Sequence, residues 1–176
     1  MNPIHPTEPS TLPPAREQFI ELAMADYESP LIAYAATILN DPDLARDVVQ
    51  DTFIRLCQQD PAKVREHLKS WLFTVCRNRA LDLLRKNQHT QTIAENRWLN
   101  IPAPGFQPDA RAETEDRLAR LMKLLTRLSP NQRDVILLKF QQGLSYQEIH
   151  DVTGLSSGNI GFLIHTGLKH LRSLLR

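Results

Sequence analysis

The sequence contains few of the residues that build disulfide frameworks, zinc sites or membrane spans. Only 2 of its 176 residues are cysteine, Cys57 and Cys76, and they form no CxxC pair and have no nearby histidine at zinc-ligand spacing. We therefore expect two reduced, buried thiols. No apolar run approaches the roughly 18–20 residues of a transmembrane helix, and the N-terminus lacks the basic and apolar regions of a signal peptide. These absences predict a cytoplasmic protein that does not insert into a membrane.

Signatures of catalysis and of cofactor binding are also missing from the sequence. The six histidines are scattered, and no Ser/His/Asp or Cys/His constellation has a plausible spacing. We expect no catalytic residue, no metal ligand and no cofactor, and hence a protein that is not an enzyme. Alternation with a period of two is absent as well, so strands are not expected and helix is the only strong signal.

Helical periodicity and its breaks predict an all-α fold of two small domains. Residues 1–14 contain five prolines and little apolar content, which predicts a disordered tail. Residues 88–111 contain three prolines and a glycine without helical periodicity, which predicts a flexible linker between domains at 15–87 and 112–176. Helices are predicted near 15–40 with an interruption at Pro30, 43–59, 64–87, 112–128, 131–142, 145–153 and 156–175.

The net charge of +1 conceals an uneven distribution along the chain. Residues 1–62 contain 3 Lys or Arg and 10 Asp or Glu, whereas residues 63–87 contain 7 basic and 2 acidic residues. An acidic segment suggests a partner other than nucleic acid, and a basic block suggests nucleic acid. The split predicts a chain that contacts both a protein and DNA.

The last third of the chain has the pattern of a helix-turn-helix. Ser145 is a candidate N-cap with Glu148 at the capping-box spacing, Gly154 can end that helix in the left-handed conformation, and Ser156 can cap the next helix. In this motif the second helix enters the DNA major groove. The alternative is a helical hairpin that makes no DNA contact.

The second helix of this motif has a candidate DNA-reading face beside a buried stripe of aliphatic residues. We expect Phe162 on that face because thymine methyl groups are the apolar feature of the major groove. The alternative, equally compatible with the pattern, is that Phe162 packs against the preceding helix. The full predicted face comprises Ser157, Asn159, Phe162, His165, Thr166 and Lys169.

An acidic stripe lies on the predicted helix at 43–59. Asp43, Asp47 and Asp51 are spaced four residues apart, which aligns their carboxylates on one face with Gln50 beside them. Like charges at this spacing repel, so their presence favours a basic partner; the alternative is an ordinary solvated face.

A basic surface is predicted on the helix at 64–87 and on the polar turn at 58–63 before it. Basic side chains suit phosphates, asparagine suits adenine edges, and the turn can hold an unstacked base. The alternative is a solvated basic helix with a capping loop, and Trp71 is either a core residue or a stacking platform. The candidate contacts are Lys63, Arg77, Asn78, Asp82, Arg85 and Lys86.

The order of these segments resembles that of the extracytoplasmic-function (ECF) sigma factors, the two-domain class of sigma-70 initiation factors. The resemblance covers residues 15–176 and is carried by DPDLARDVVQDTFIRL from Asp41, SWLFTVCRNRALDLLRK from Ser70, and LSPNQRDVILLKFQQGLSYQEIHDVTGLS from Leu128. It implies that the acidic helix docks on core RNA polymerase, residues 58–86 melt and read the −10 element, and residues 145–175 read the −35 element. The implied partners are core polymerase, double-stranded promoter DNA, the melted −10 strand and an anti-sigma factor.

Two positions depart from the usual family pattern. Arg46 occupies a place where an acidic residue is usual, and the recognition helix has Gly161, Leu163 and Thr166 where Arg and Lys are common. The alternative function is a free-standing helix-turn-helix regulator that does not engage polymerase. The acidic helix argues against it, because such a regulator does not need that surface.

Overall fold

A computed structural model describes residues 14–90 and 123–175 of the chain. Residues 1–13, most of the predicted linker and the start of the predicted 112–128 helix lie outside the described residues. Within the described ranges all regular structure is helical, as predicted, and no helix there is long and apolar enough to cross a bilayer. The elements are α1 (Pro14–Leu39), α2 (Pro42–Cys57), α3 (Pro61–Val64), a 3-10 turn (Arg65–His67), α4 (Leu68–Thr90), α5 (Pro130–Ile136), a π-helical turn (Leu137–Gln141), α6 (Tyr146–Thr153) and α7 (Ser157–Leu174).

Helix α1 continues without a break through Pro30, so the predicted interruption there is wrong. A proline inside a helix removes one hydrogen bond and costs about 3 kcal/mol. Leu31 and Tyr34, both fully buried, follow directly, and α1 packs against both α2 and α4. Burial of one such side chain contributes about 1.5–3 kcal/mol, so packing of this helix offsets the cost of its proline.

The first helical unit is held together by the inner faces of α1, α2 and α4. The ring of Tyr34 meets that of Phe73 edge to face, with the ring centroids 5.3 Å apart. Cys76 is buried and Cys57 half buried, and both are free thiols. The large side chains that are fully buried here are Leu31, Tyr34, Val48, Val49, Leu56, Leu72 and Phe73.

Local capping fixes where α2 begins and therefore which of its faces is presented to solvent. Asn40 takes a positive φ of 53° and ends α1. The Asp41 carboxylate then accepts hydrogen bonds from the backbone N–H groups of Asp43 and Leu44, at 2.9 and 3.0 Å, with Pro42 at the first helical position. Proline is favoured there because the N–H it lacks would have no helical partner.

The second unit contains the predicted helix-turn-helix, formed by α6 and α7. Each cap predicted from the sequence is confirmed: the capping box of Ser145 and Glu148, left-handed Gly154 with φ 73°, and Ser156, whose hydroxyl accepts from the Asn159 N–H. A Cβ on Gly167 would lie 2.7 Å from the Ile136 side chain, so α7 approaches α5 closely at this point.

The helix predicted at 131–142 has two parts. Residues 130–136 are α-helical, and Leu137–Gln141 form a π-helical turn that ends before Gly143, whose φ is 66°. The widened turn still buries Leu137 and Leu138. The two helical units also pack against each other, chiefly through α4 and α6.

Candidate nucleic-acid and protein interfaces

The acidic stripe of α2 is exposed, but its three aspartates have different partners. Asp43 forms an ion pair with Arg46 one turn away, at 2.7 Å, and both side chains are more than half exposed. Asp47 and Gln50 face solvent, and Asp47 has no ion-pair partner among the described residues. An exposed pair of this kind contributes little to stability, so Asp43 can exchange Arg46 for a partner's cation at small cost.

Asp51 is bound within the protein instead. Its carboxylate accepts from Nε of Arg79 on α4 at 2.9 Å, with both side chains part-buried. This contact joins α2 to α4, and it gives the third carboxylate of the stripe a partner within the protein. Asp51 therefore contributes to the folding of the unit as well as to the charge of its surface.

The turn that precedes α4 is fixed by hydrogen bonds that sequence reasoning did not find. The Asp60 carboxylate caps α3 by accepting from the Ala62 N–H at 3.0 Å. Arg16, near the start of α1, donates to the carbonyl groups of Cys57 and Gln59 at 2.6 and 2.7 Å. Lys63 remains exposed beside this braced turn. Because a fixed turn loses less entropy on binding than a mobile one, it suits the capture of an unstacked base.

The outer face of α4 presents polar groups as predicted, with one exception. Asn78, Asp82, Arg85 and Lys86 are exposed, and Arg85 pairs with Asp82 at 3.1 Å. Arg77 is turned toward the second unit, where its Nε donates to Asp134. Trp71 is half buried against the core, which favours its structural interpretation.

The Arg77 contact is part of a buried three-residue cluster that links the two units. Asp134 accepts from Arg77 at 2.6 Å and from the Tyr34 hydroxyl at 2.5 Å. Burial, followed by the nearby Asp134 carboxylate, raises the pKa of Tyr34 well above its ordinary value. Burial alone would lower the pKa of Arg77, but Asp134 outweighs it and the net direction is upward. Because both pKa values are raised, Tyr34 and Arg77 stay protonated and able to donate across the physiological pH range.

The predicted reading face of α7 is exposed at five of its six positions. Four of these residues face solvent: Ser157, Asn159, His165 and Lys169. The Phe162 side chain is 64% exposed, so the alternative interpretation, in which it is buried against the preceding helix, is wrong.

Thr166 differs from the rest of this face. It is half buried, and its hydroxyl accepts from the Gln132 side chain of α5 at 3.1 Å while donating to the Phe162 carbonyl at 2.8 Å. Its periodicity places it beside Phe162, but α5 covers that edge of the helix. Thr166 therefore orients α7 against α5 in this structure.

Sequence reasoning missed four residues that fix these surfaces, because each acts through a distant partner. They are Arg16, Tyr34, Arg79 and Asp134. Only Asp134 carried a usable signal, as an aspartate directly before the apolar run at 135–138, where a buried charge requires a partner.

Comparison with known proteins matches both units. The protein family described as Sigma-70 region 2 matches residues 24–90, and the family described as Sigma-70, region 4 matches residues 118–171. RNA polymerase sigma factor CarQ of Myxococcus xanthus is 28% identical over 163 residues, 92% of this chain and 91% of CarQ. ECF RNA polymerase sigma factor SigX of Bacillus subtilis is 26% identical, over 89% of this chain and 83% of SigX.

A solved structure agrees with the sequence matches. The sigma factor RpoE of Bartonella quintana, co-crystallised with the anti-sigma factor NepR, is similar with a TM-score of 0.66 at 26% identity, over 90% of this chain and 95% of that one. The matches to regions 2 and 4 fall on the two helical units that carry the polar surfaces described above. The chain belongs to the ECF group of the sigma-70 family, and it is a sigma factor that directs core RNA polymerase to promoters for transcription initiation.

Proposed function

We propose that this sigma factor docks on core polymerase through Asp43, Asp47, Gln50 and Asp51 and has no catalytic activity of its own. The observation that carries the proposal is the exposure of Asp47 and Gln50 on a helix whose opposite face is fully buried. Asp47 supplies the charge that is free for a basic partner. Asp51, held by Arg79, contributes less to docking because that contact would have to be exchanged.

The docking proposal is tested by Asp47→Arg in the full chain, with core affinity measured by a pull-down of purified polymerase. Affinity should fall at least tenfold, because a charge reversal turns an attraction into a repulsion of similar size. Glu28→Arg is the matched control, since Glu28 is also exposed and belongs to the same unit. Equal affinities of the two variants would reject the assignment of α2, provided that their helical content and melting temperature stay equal.

Charge reversal at Asp51 answers a different question. Asp51→Arg would place two guanidinium groups together, so it should lower the melting temperature by itself. A loss of polymerase binding in that variant would therefore mix docking with folding. Asp47 is the cleaner probe.

For the −10 element we propose that the 15–87 domain acts through Asn78 and the turn at 58–63, with phosphate contacts from the basic side chains nearby. Support comes from the exposure of Asn78 and from the Arg16 brace that holds the turn. Flipped bases are read in pockets rather than on flat surfaces, so the turn supplies the pocket and α4 its wall. The contact set is Lys63, Arg77, Asn78, Asp82, Arg85 and Lys86.

Two substitutions separate base reading from phosphate binding on α4. Asn78→Ala should change the preference at one −10 position, whereas Arg85→Ala should weaken binding about equally for all sequences and reduce the salt slope by about 1. Permanganate footprinting of the open complex provides the readout for the turn. Normal opening after replacing residues 58–63 with Gly and Ser would count against its role.

For the −35 element we propose that the 112–176 domain inserts α7 into the major groove. Ser157, Asn159, Phe162, His165 and Lys169 supply the groove-facing side chains, and Thr166 stays bound to α5. With few cations on this helix, region 4 should bind weakly and with a shallow salt slope. Run-off transcription with core polymerase on genomic fragments, followed by start-site mapping, reveals both elements and tests the function itself.

We also propose that an anti-sigma factor controls this protein in the cytoplasm. The support is the similar protein RpoE, whose structure was solved with the anti-sigma factor NepR. Purification of the tagged chain under native conditions should recover polymerase subunits in the active state and a small inhibitor in the silent state. Full activity of the recombinant chain with core polymerase alone would favour inhibition over a required modification.

A further inference from the structure

The first turns of α1 hold the turn at 58–63 through one arginine. Nη2 of Arg16 donates to the carbonyl of Cys57 at 2.6 Å and to the carbonyl of Gln59 at 2.7 Å. Cys57 is the last residue of α2, whereas Gln59 lies in the turn itself. A single nitrogen therefore ties the end of the helix to the turn, and it sets the direction in which the chain leaves α2.

A second contact holds the far end of the same segment. The guanidinium of Arg65, in the 3-10 turn that follows α3, lies over the ring of Phe19, 5.2 Å from its centroid. Phe19 comes three residues after Arg16, so both side chains project from the same side of α1. Val64, directly before Arg65, is buried. Helix α1 therefore holds the segment 57–65 near both of its ends.

These contacts leave the turn accessible to a ligand. Arg16 binds only backbone carbonyl groups there. The side chains of Gln58, Asp60 and Lys63 remain exposed. The Asp60 carboxylate also accepts from the Ala62 N–H, which fixes the middle of the segment. A turn with a fixed backbone and exposed side chains can bind a ligand without first losing conformational freedom.

Helix capping alone does not account for the Arg16 contact. The last carbonyl groups of a helix lack partners within it, and an arginine side chain can satisfy them. That role explains the bond to Cys57, but Gln59 lies beyond the end of α2. The bond to Gln59 therefore acts on the turn rather than on the helix.

We propose that Arg16 and Phe19 are positioning residues for the −10 element, which hold the turn at 58–63 in the shape that accepts an unstacked base. The proposal rests on the base capture proposed above and names the residues that prepare the turn for it. Both act by removing conformational freedom that the turn would otherwise lose on binding. Both also precede residue 24, where the match to region 2 begins, so that match does not imply this role.

The test uses fork-junction DNA of a promoter mapped for this sigma factor, bound by the full chain assembled with core polymerase. One unpaired −10 base at a time is replaced with an abasic site, and affinity is measured by fluorescence anisotropy. Wild-type holoenzyme should lose about tenfold in affinity at the captured position, within the range for one stacked base. Arg16→Ala should bind the intact fork about tenfold more weakly, because charge-assisted hydrogen bonds no longer shape the turn, and should lose little more at the abasic site.

Two further variants and a control separate positioning from folding. Phe19→Leu keeps an apolar side chain but removes the ring under Arg65, so the abasic penalty should shrink about two- to fivefold, the strength of an exposed cation–π contact. Arg16→Lys keeps a donor and should restore part of the penalty. Arg55→Ala is the matched control, since it removes an exposed arginine of the same unit that forms no ion pair with any described residue, and it should keep the full penalty.

The outcomes distinguish the positioning role from the base capture on which it rests. If no abasic position weakens wild-type binding, base capture by the turn is wrong, and the positioning role with it. If the wild type shows the penalty and both Arg16 variants and Phe19→Leu keep it in full, base capture stands and the positioning role is overturned. A lower melting temperature with a full penalty would assign Arg16 to capping of α2 alone. Should Arg16→Ala fail to fold, Arg16→Lys and Phe19→Leu decide the question.

Discussion

Phe162 offers the sharpest test of how region 4 reads DNA, because its ring is 64% exposed in the structure. A fully enclosed phenylalanine side chain buries roughly 200 Å², and about a third of the Phe162 side chain is covered here. The burial of this third stabilises the fold by at most about 1.8 kcal/mol. Alanine recovers part of this through its higher helix propensity, about 0.5 kcal/mol. Phe162→Ala should therefore lower the melting temperature by only a few degrees.

The effect on DNA should be larger and confined to one position. Replacing thymine with deoxyuridine removes only the C5-methyl group, so each −35 thymine can be tested in turn. Wild-type holoenzyme should lose about fivefold in affinity at the position that Phe162 contacts, in keeping with about 1 kcal/mol for one apolar group. Phe162→Ala holoenzyme should bind thymine and deoxyuridine equally there.

A control within the same helix separates reading from folding. Ile164 is 6% exposed in the core stripe of α7, so Ile164→Ala should cost about 2–5 kcal/mol and melt region 4 early. If Phe162→Ala behaves like Ile164→Ala, or if it leaves every methyl effect intact, the groove contact is wrong.

Three further predictions concern acid stability, thiol reactivity and docking. A hydrogen bond from the Ser145 backbone N–H lowers the pKa of Glu148 from its ordinary value of 4.5. The ionised carboxylate therefore stabilises the fold fully above pH 4.5, and this stabilisation is lost as the pH falls through the lowered pKa. Glu148→Gln should lower the melting temperature at pH 7 and have little effect on it at pH 2. Burial raises the pKa of Cys76 to about 12, so a thiol reagent at pH 8 should label Cys57 first, and mass mapping that found Cys76 labelled faster would contradict the packing. Arg46→Glu should strengthen polymerase binding, most visibly at low salt, and a weaker or unchanged affinity would mean that Arg46 does not oppose docking.

Features that depend on a few neighbouring residues were predictable from the sequence. Ser145, Gly154 and Ser156 act through hydrogen bonds and backbone conformations that span at most four residues, so their identity and spacing were enough to place the ends of α6 and α7. The exposure of Asp43 and Asp47 followed from helical periodicity in the same way. Local chemistry therefore located the helices and most of the polar surfaces.

Features that depend on tertiary packing were not predictable. The break expected at Pro30 is absent because α1 is buried on both sides of it, at Ile20 and Ala23 before the proline and at Leu31 and Tyr34 after it. Thr166 has the periodicity of the reading face, but α5 covers it through Gln132. Neither fact can be read from one helix alone, since each depends on which neighbour packs against it.

The arginines of α4 illustrate what a count of charges leaves out. Residues 63–87 contain 7 basic residues, which suggests a strongly basic DNA-binding surface. In the folded chain Arg79 is bound to Asp51 and Arg77 to Asp134, and Arg85 shares an exposed pair with Asp82. The exposed Arg85–Asp82 pair is weak, so a phosphate can replace Asp82 at little cost. The Arg77–Asp134 pair is buried, and it breaks only when region 4 moves away. A count of basic residues therefore overstates the charge that α4 offers to DNA, because Arg77 and Arg79 are already paired with carboxylates of the folded chain.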